Sequence, residues 1–241
     1  VRRSDQILTV CSQNKLRLHK QYNIPNDKIS IVRNTPEYLA DVKTKTFNPE
    51  SLTFGYHGMC YPNRNLETML EGFSRYWEKN QKAKLLMAGT YQQEFKNSFN
   101  HLPAFQSIEW TGYYFLQELP ALLERTDVGI VPFPINEFFN TTLSNKVFDY
   151  LPFGLPILLS PTATHREIIE ETQGGLIVSC DTAEDVAAAM ENIASLDLTA
   201  MSNHSRNYCL TDRLWKKDEE IFFSGRRTNN LKTSNSGSRL S

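Results

Sequence analysis

The sequence predicts an α/β fold, a Rossmann-like doubly wound parallel sheet that is covered by helices on both faces. The main observation is a regular alternation of short apolar segments with amphipathic segments between residues 52 and 195. Several apolar segments stop at a glycine, as at Gly89 and Gly112, which is typical of strands that end in a turn. Ligands of such sheets bind at the carboxyl ends of the strands, so functional residues are expected in the loops that follow them.

The clearest single element is helix 66–78, because Leu66, Met69, Leu70 and Phe73 fall on one helical face. The predicted strands span residues 6–10, 29–32, 52–56, 84–88, 108–111, 127–133, 156–159 and 175–178. The predicted helices span residues 13–22, 66–78, 92–99, 116–125, 143–151, 166–172, 183–195 and 203–223.

Composition narrows the classes of function. The 241 residues, 40% of them apolar, are enough to bury a sizeable core. Basic and acidic residues number 26 and 27, so the chain has almost no net charge with which to attract nucleic acid. Any bound anion must therefore be held by a few local residues. No apolar run reaches the roughly 18 residues of a membrane span. The sequence isolates all four cysteines from one another, which argues against a zinc site and favours a reducing, cytoplasmic location: Cys11, Cys60, Cys180 and Cys209.

Two loop regions carry candidate chemistry. In the first, Gly58 follows a strand and Arg64 precedes a helix, a pattern that suits a phosphate group, although such a loop is more often a turn with a solvated charge. In the second, hydroxyl residues precede Lys146 and Asp149, which lie three apart on one predicted helical face. This pair suits a phosphate and a ribose, and an ordinary helix cap with a surface ion pair is the simpler alternative.

An ordered series of short motifs resembles the C-terminal, donor-binding half of a GT-B glycosyltransferase of family 4, the glycosyl transferases group 1 type. The N-terminal unit, with DQILTVCS (5–12), NIP (23–25) and KISIVRNT (28–35), resembles the end of that family's N-terminal domain. The later runs follow in the family's order: LEGF (70–73), LLMAG (85–89), WTGY (110–113), ELPALL (118–123), DVGIVP (127–132), KVFDYL (146–151), GLPI (154–157), EII (167–169) and GGLIV (174–178).

The resemblance implies an enzyme that transfers a hexosyl group from a UDP-, GDP- or ADP-linked donor to a glycan or lipid-linked acceptor in polysaccharide biosynthesis. It also implies retention at the anomeric carbon, no bound metal and no cofactor. Tyr113 would lie beside the base, and the N–H groups of Thr142 and Leu143 would sit at a helix terminus facing the diphosphate. The donor-binding residues implied in this way are Gly58, Arg64, Tyr113, Thr142, Leu143, Lys146 and Asp149. No catalytic residue is assigned.

The chain departs from the family at two positions. A cation that would hold the diphosphate falls on Met59, and a carboxylate that would contact the transferred sugar falls on Thr141. The resemblance implies that Lys146 supplies the positive charge that is missing at Met59. These departures keep a second hypothesis open, a non-catalytic interaction or regulatory module on the same fold. A third, less favoured hypothesis is a nucleotide-sugar epimerase.

The predicted domain organisation follows from the same comparison. Residues 1–48 are expected to be a strand-helix-strand remnant of the N-terminal GT-B domain plus a linker, and 49–200 the donor-binding domain. Residues 201–224 are expected to form a closing helix and 225–241 a disordered tail. The chain is accordingly expected to be a piece of a longer protein, and the missing domain to contribute the acceptor site and any peripheral contact with a membrane.

Overall fold

Strands and helices alternate throughout the computed structural model, which describes residues 4–35, 45–211 and 215–223. The strands are β1 (Ile7–Thr9), β2 (Ile29–Ile31), β3 (Thr53–His57), β4 (Lys84–Ala88), β5 (Ile108–Gly112), β6 (Val128–Val131), β7 (Ile157–Leu159) and β8 (Gly175–Ile177). The helices are α1 (Ser12–Tyr22), α2 (Leu66–Lys79), α3 (Gln93–Asn97), α4 (Leu119–Glu124), α5 (Glu137–Asn140), α6 (Asn145–Tyr150), α7 (Ala163–Thr172), α8 (Ala183–Ala194) and α9 (Leu198–Thr211). Residues 215–223 are also helical.

The strands form two parallel sheets. β1 pairs with β2, and the other six form one sheet in the order β5-β4-β3-β6-β7-β8. The chain first moves outward from β3 through β4 to β5, then returns to the other side of β3 and continues from β6 to β8. The direction of winding therefore reverses between β3 and β6, the position at which ligands of open parallel sheets bind. The predicted fold class is confirmed.

The core lies on both faces of the large sheet because successive strand residues point to opposite sides. In β7, Leu158 packs in the cluster that includes α2 and α8, while its neighbours Ile157 and Leu159 pack in the cluster that includes α6 and α9. On the first face, α2 approaches α8 closely at Gly72, where an added Cβ would lie 2.5 Å from Cβ of Val186. Close helix packing at this face depends on the absence of a side chain at that position.

The N-terminal unit, β1-α1-β2, docks against the segment between α5 and α9. Arg33 at the end of β2 is 3% exposed and binds both carboxylate oxygens of Glu171 at 2.7 and 3.0 Å and the hydroxyl of Tyr208 at 2.8 Å. Nearby, the Ser12 hydroxyl donates to Glu167. The hydroxyl of Thr35 donates to Asp218 at 2.6 Å, which ties the unit to the helix at 215–223.

Two helices begin earlier than predicted because a side chain caps the N-terminus of each. The helix predicted from 166 begins at Ala163, because Thr162 accepts a hydrogen bond from the backbone N–H of His165. The helix predicted from 203 begins at Leu198, where the carboxylate of Asp197 accepts from the N–H of Ala200. The predicted disordered tail, 225–241, and most of the predicted linker lie outside the described residues. None of the helices in the described part of the chain has the length and apolarity to cross a bilayer.

Candidate functional site

A cleft of about 380 Å³ opens at the carboxyl ends of the strands, where the winding of the sheet reverses. Its walls come from the loop after β3, the loop after β5 and the segment from β6 to α6. Six of the seven residues predicted to bind a donor line this cleft, which brings together positions from 58 to 149: Gly58, Arg64, Thr142, Leu143, Lys146 and Asp149.

The floor of the cleft needs glycine at position 58. Gly58 has φ +136°, a conformation that L side chains rarely adopt, and its N–H donates to the carbonyl of Ala88 at 2.7 Å. An added Cβ would lie 2.8 Å from both Cε and Nζ of Lys146. The glycine therefore makes room for the lysine side chain, a function different from the phosphate approach suggested by the sequence.

Two cations converge in the cleft. Lys146 Nζ lies 5.0 Å from the centroid of the Tyr56 ring, and Cζ of Arg64 lies 5.6 Å from the centroid of the Phe133 ring. Neither cation has a carboxylate oxygen within 4.0 Å among the described residues, and Nε of Arg64 is buried there without a hydrogen-bond partner. Burial, and then the neighbouring charge of Arg64, lower the pKa of Lys146 to about 8. Two neighbouring cations of this kind favour the binding of an anion between them.

Asp149 is the carboxylate that lines the cleft. Burial raises its pKa to about 6, against the attraction of Lys146, which lowers it. Its charge also acts on Tyr114, whose pKa is raised to about 12, mainly by burial. The two side chains therefore lie at the same end of the cleft, where a carboxylate and a phenol can both accept hydrogen bonds from hydroxyl groups.

The predicted helix-terminal N–H groups are placed differently. α6 begins at Asn145, two residues later than predicted, because Ser144 has the extended backbone of an N-cap residue. Thr142 instead follows the end of α5, and its hydroxyl donates back to the carbonyl of Phe138 in that helix at 2.7 Å. Thr142 and Leu143 line the cleft, but the prediction that they begin the helix is wrong, and its first N–H groups are those of Asn145 and Lys146.

Tyr113 is not among the residues that line the cleft. Its side chain is 69% exposed and packs edge-on against Phe115 with ring centroids 5.2 Å apart. The next residue, Tyr114, lines the cleft instead. The chain turns at Gly112, which has φ +75°, so strand parity could not decide which of two adjacent tyrosines faces inward.

His57, at the end of β3, is a structural residue. Its backbone N–H donates to the Tyr150 hydroxyl at 3.1 Å, and its two ring nitrogens lie 3.2 Å from that hydroxyl and 3.3 Å from Oγ1 of Thr126. Since Thr126 donates to the carbonyl of Leu122, it accepts from Nε2 of His57. Burial lowers the pKa of His57 to about 3, so the ring is neutral and its hydrogen bonds are satisfied.

The two departures from the family pattern lie outside the residues that line the cleft. Met59 is 49% exposed, and the hydroxyl of Thr141 donates to the carbonyls of Glu137 and Phe138. Across residues 4–35, 45–211 and 215–223, no group of three His, Cys, Asp or Glu side chains comes together as metal ligands would.

Comparison with a family model defines the class. Residues 51–195, more than half of the chain, match the family described as glycosyl transferases group 1. The chain belongs to this family of glycosyltransferases, as its motifs indicated. No curated protein sequence gives a significant match.

Solved structures with the same fold include several GT-B glycosyltransferases. A complex of S. aureus TarM with fondaparinux, alpha-GlcNAc-glycerol and UDP has a TM-score of 0.75 at 12% identity over 93% of this chain and 44% of that one. Anabaena Alr3699/HepE with UDP-glucose has a TM-score of 0.74 at 9% identity, over 92% of this chain and 63% of that one. WaaG, a glycosyltransferase involved in lipopolysaccharide biosynthesis, has a TM-score of 0.71 at 13% identity over 89% and 61%. This chain thus spans between 44% and 63% of these proteins.

Proposed function

We propose that this chain is the donor-binding part of a glycosyltransferase and that its cleft holds the diphosphate of a nucleotide sugar between Arg64 and Lys146. The observation that carries the proposal is the pair of partly buried cations, without a carboxylate partner among the described residues, where the winding of the sheet reverses. Asp149 and Tyr114 then face the ribose and the base. Opposite them, the segment that leads from β6 into α6 faces the sugar.

In the reaction we propose, a hexosyl group passes to a glycan or lipid-linked acceptor, with retention at the anomeric carbon. As the bond to the leaving diphosphate breaks, negative charge grows on its oxygens. Arg64 and Lys146 stabilise that charge, and because both are already in place, little reorganisation is needed. We assign this charge compensation to the two side chains in place of a metal. We assign the acceptor site and the remaining catalytic groups to a further domain, because this chain spans only 44% to 63% of the glycosyltransferases whose fold it shares.

We also propose that the reaction takes place in the cytoplasm, with any membrane contact made through that further domain. All four cysteines are free thiols in buried positions. Unpaired thiols of this kind are characteristic of reducing compartments.

Calorimetric titration with UDP, GDP, ADP and inorganic pyrophosphate tests the donor site. Replacing either cation, in Arg64→Met and Lys146→Met, removes a charge-assisted contact, and we expect affinity to fall about 10- to 100-fold. The matched control for Arg64 is Arg75→Met, which removes the α2 member of an exposed ion pair with Glu184. The matched control for Lys146 is Lys84→Met, which removes an exposed lysine at the amino end of β4. Both controls should keep wild-type affinity. Absence of binding to all four ligands at millimolar concentration would overturn the proposal.

A non-catalytic binding module is the second candidate, favoured by the threonine at position 141. The hydroxyl of Thr141 is bonded to the backbone of α5 and presents no carboxylate to the cleft. If the protein is an enzyme, Thr141→Glu in the full-length protein should change the rate of sugar transfer while nucleotide affinity stays the same. If transfer is undetectable with both residues while the nucleotide still binds, the binding module is the better description.

A further inference from the structure

Both cations of the cleft lie against aromatic rings. Cζ of Arg64 is 5.6 Å from the centroid of Phe133, and Nζ of Lys146 is 5.0 Å from the centroid of Tyr56. Both distances fall within the roughly 6 Å over which the face of an aromatic ring attracts a cation. The two rings come from neighbouring strands at the reversal point, Tyr56 from β3 and Phe133 from the segment just after β6.

A ring and a carboxylate can each fix a cation, but their effects on a ligand differ. A carboxylate within ion-pair distance would neutralise the cation and compete with an incoming phosphate. An aromatic ring attracts the cation through its quadrupole and carries no charge, so the full positive charge remains for the ligand. Tyr56 stays uncharged because burial raises the pKa of its phenol well above the ordinary value.

The protein core, not the cations, holds these rings in place. Phe133 is 3% exposed and packs against Phe139 at 4.3 Å and against His165 at 5.6 Å between ring centroids. His165 is itself fixed, because its Nδ1 lies 3.0 Å from the carbonyl of Ser160. Tyr56 is fully buried, and its hydroxyl donates to the carbonyl of Met59 at 3.0 Å.

We propose that Phe133 and Tyr56 are positioning residues that hold Arg64 and Lys146 in the cleft without neutralising them. Neither ring is assigned a contact with the reacting atoms, and each acts through its cation. The inference rests on the proposed function only in naming the ligand, because the contact between ring and cation exists in the free protein.

The geometry can be tested without any ligand. In protein labelled with ¹³C at arginine and lysine, the Arg64 δ-methylene and the Lys146 ε-methylene should be shifted upfield by the ring currents of Phe133 and Tyr56. Spectra of Arg64→Met and Lys146→Met, in which the signals are missing, assign them. Phe133→Leu should abolish the shift at Arg64 and keep the shift at Lys146, and Tyr56→Leu should abolish the shift at Lys146. Unshifted methylenes in the wild-type protein would overturn the inference even if neither variant folds.

Binding then separates positioning from packing. We expect Phe133→Leu and Tyr56→Leu to weaken UDP binding about 3- to 30-fold, the range that a cation–π contact can account for. Tyr56→Phe keeps the ring and loses only the hydroxyl, which donates to Met59 and lies beside Arg64, so it should weaken UDP binding less than Tyr56→Leu does. Phe99→Leu is the matched control, since Phe99 is 5% exposed, packs edge-on with Phe95 and is not among the residues that line the cleft.

The outcomes distinguish the two proposals. If UDP binds but Phe133→Leu and Tyr56→Leu keep wild-type affinity, the positioning role is overturned and the donor site stands. If the upfield shifts are present and respond to the variants but no nucleotide or pyrophosphate binds, the donor site is overturned. In that case the result still supports the proposal that Phe133 and Tyr56 position the two cations.

Discussion

At the scale of single residues, the pKa values of Lys146 and Asp149 lie much closer together than usual, one just above and one just below neutral pH. Burial penalises the charged form of each, so the pKa of the lysine falls to about 8 and that of the carboxyl rises to about 6. Both groups are mainly charged only between these two values. Perturbed groups of this kind, in a cleft at the reversal point of the sheet, are a mark of functional sites.

The affinity for UDP-glucose should therefore be greatest between about pH 6 and pH 8. Above pH 8, Lys146 loses its proton and its attraction for the diphosphate, and affinity should fall up to about tenfold per pH unit. Below pH 6, Asp149 is protonated and becomes a weaker acceptor for ribose hydroxyls. UDP-glucose is the suitable ligand because its diphosphate diester does not titrate in this range.

Calorimetry at fixed ionic strength measures this profile. Lys146→Met should lose the alkaline limb and keep the acid limb. An alkaline limb that survives in this variant would show that another group is responsible.

At the scale of elements, the agreement between sequence and structure depends on length and periodicity. Helix α2 was predicted at 66–78 and spans Leu66–Lys79, because fourteen residues with a regular apolar face leave little choice. α5 has four residues, too few to show a period, and it was missed. Its presence delays the start of α6, so the first N–H groups of that helix are those of Asn145 and Lys146.

The close approach of α2 to α8 gives a prediction for Gly72→Ala. Alanine favours a helix by up to about 1 kcal/mol over glycine, yet its Cβ would lie 2.5 Å from Cβ of Val186 and 2.9 Å from the carbonyl oxygen of Ala183. Overpacking of this kind costs about 1–3 kcal/mol, so the variant should be less stable despite its better helix propensity. Urea unfolding measures the change. Glu71→Ala, at the exposed neighbouring position, is the control and should not be destabilised.

At the scale of the whole molecule, the N-terminal unit is held by charge as well as by packing. Arg33 is buried against Glu171 and Tyr208, although Glu171 is 30% exposed. Arg33→Met should cost about 2–4 kcal/mol of unfolding free energy, because it leaves Glu171 beside an apolar group. Arg75→Met breaks an ion pair whose members are 54% and 65% exposed and should cost less than about 1 kcal/mol. Equal losses in urea unfolding would show that the Arg33 network is not the main attachment of the unit.

The fold could be predicted from the sequence, and so could most of the cleft lining, because parallel strands bring the loops after them to one edge whatever their side chains are. What could not be predicted was contact between residues far apart in the chain. Nothing near Arg64 in sequence indicates Phe133, and nothing near Lys146 indicates Tyr56. These contacts depend on the angle at which each loop leaves its strand, as does the inward position of Tyr114 in place of Tyr113.

Among the described residues, three hydrogen bonds join the N-terminal unit to the segment from β6 to α6, one of them from Gln21 to Glu137 at 3.2 Å, and the other two lie next to residues that line the cleft. Sγ of Cys11 lies 3.2 Å from the carbonyl of Thr141, and the side-chain amide of Asn34 donates to Asn145 at 2.8 Å. Thr141 and Asn145 flank Thr142 and Leu143, and Asn145 precedes Lys146 directly. The N-terminal unit and the cleft therefore share this wall. If a ligand favours the arrangement of this wall to which the unit attaches, it tightens the attachment, and by reciprocity loosening the unit must then weaken the ligand by the same factor.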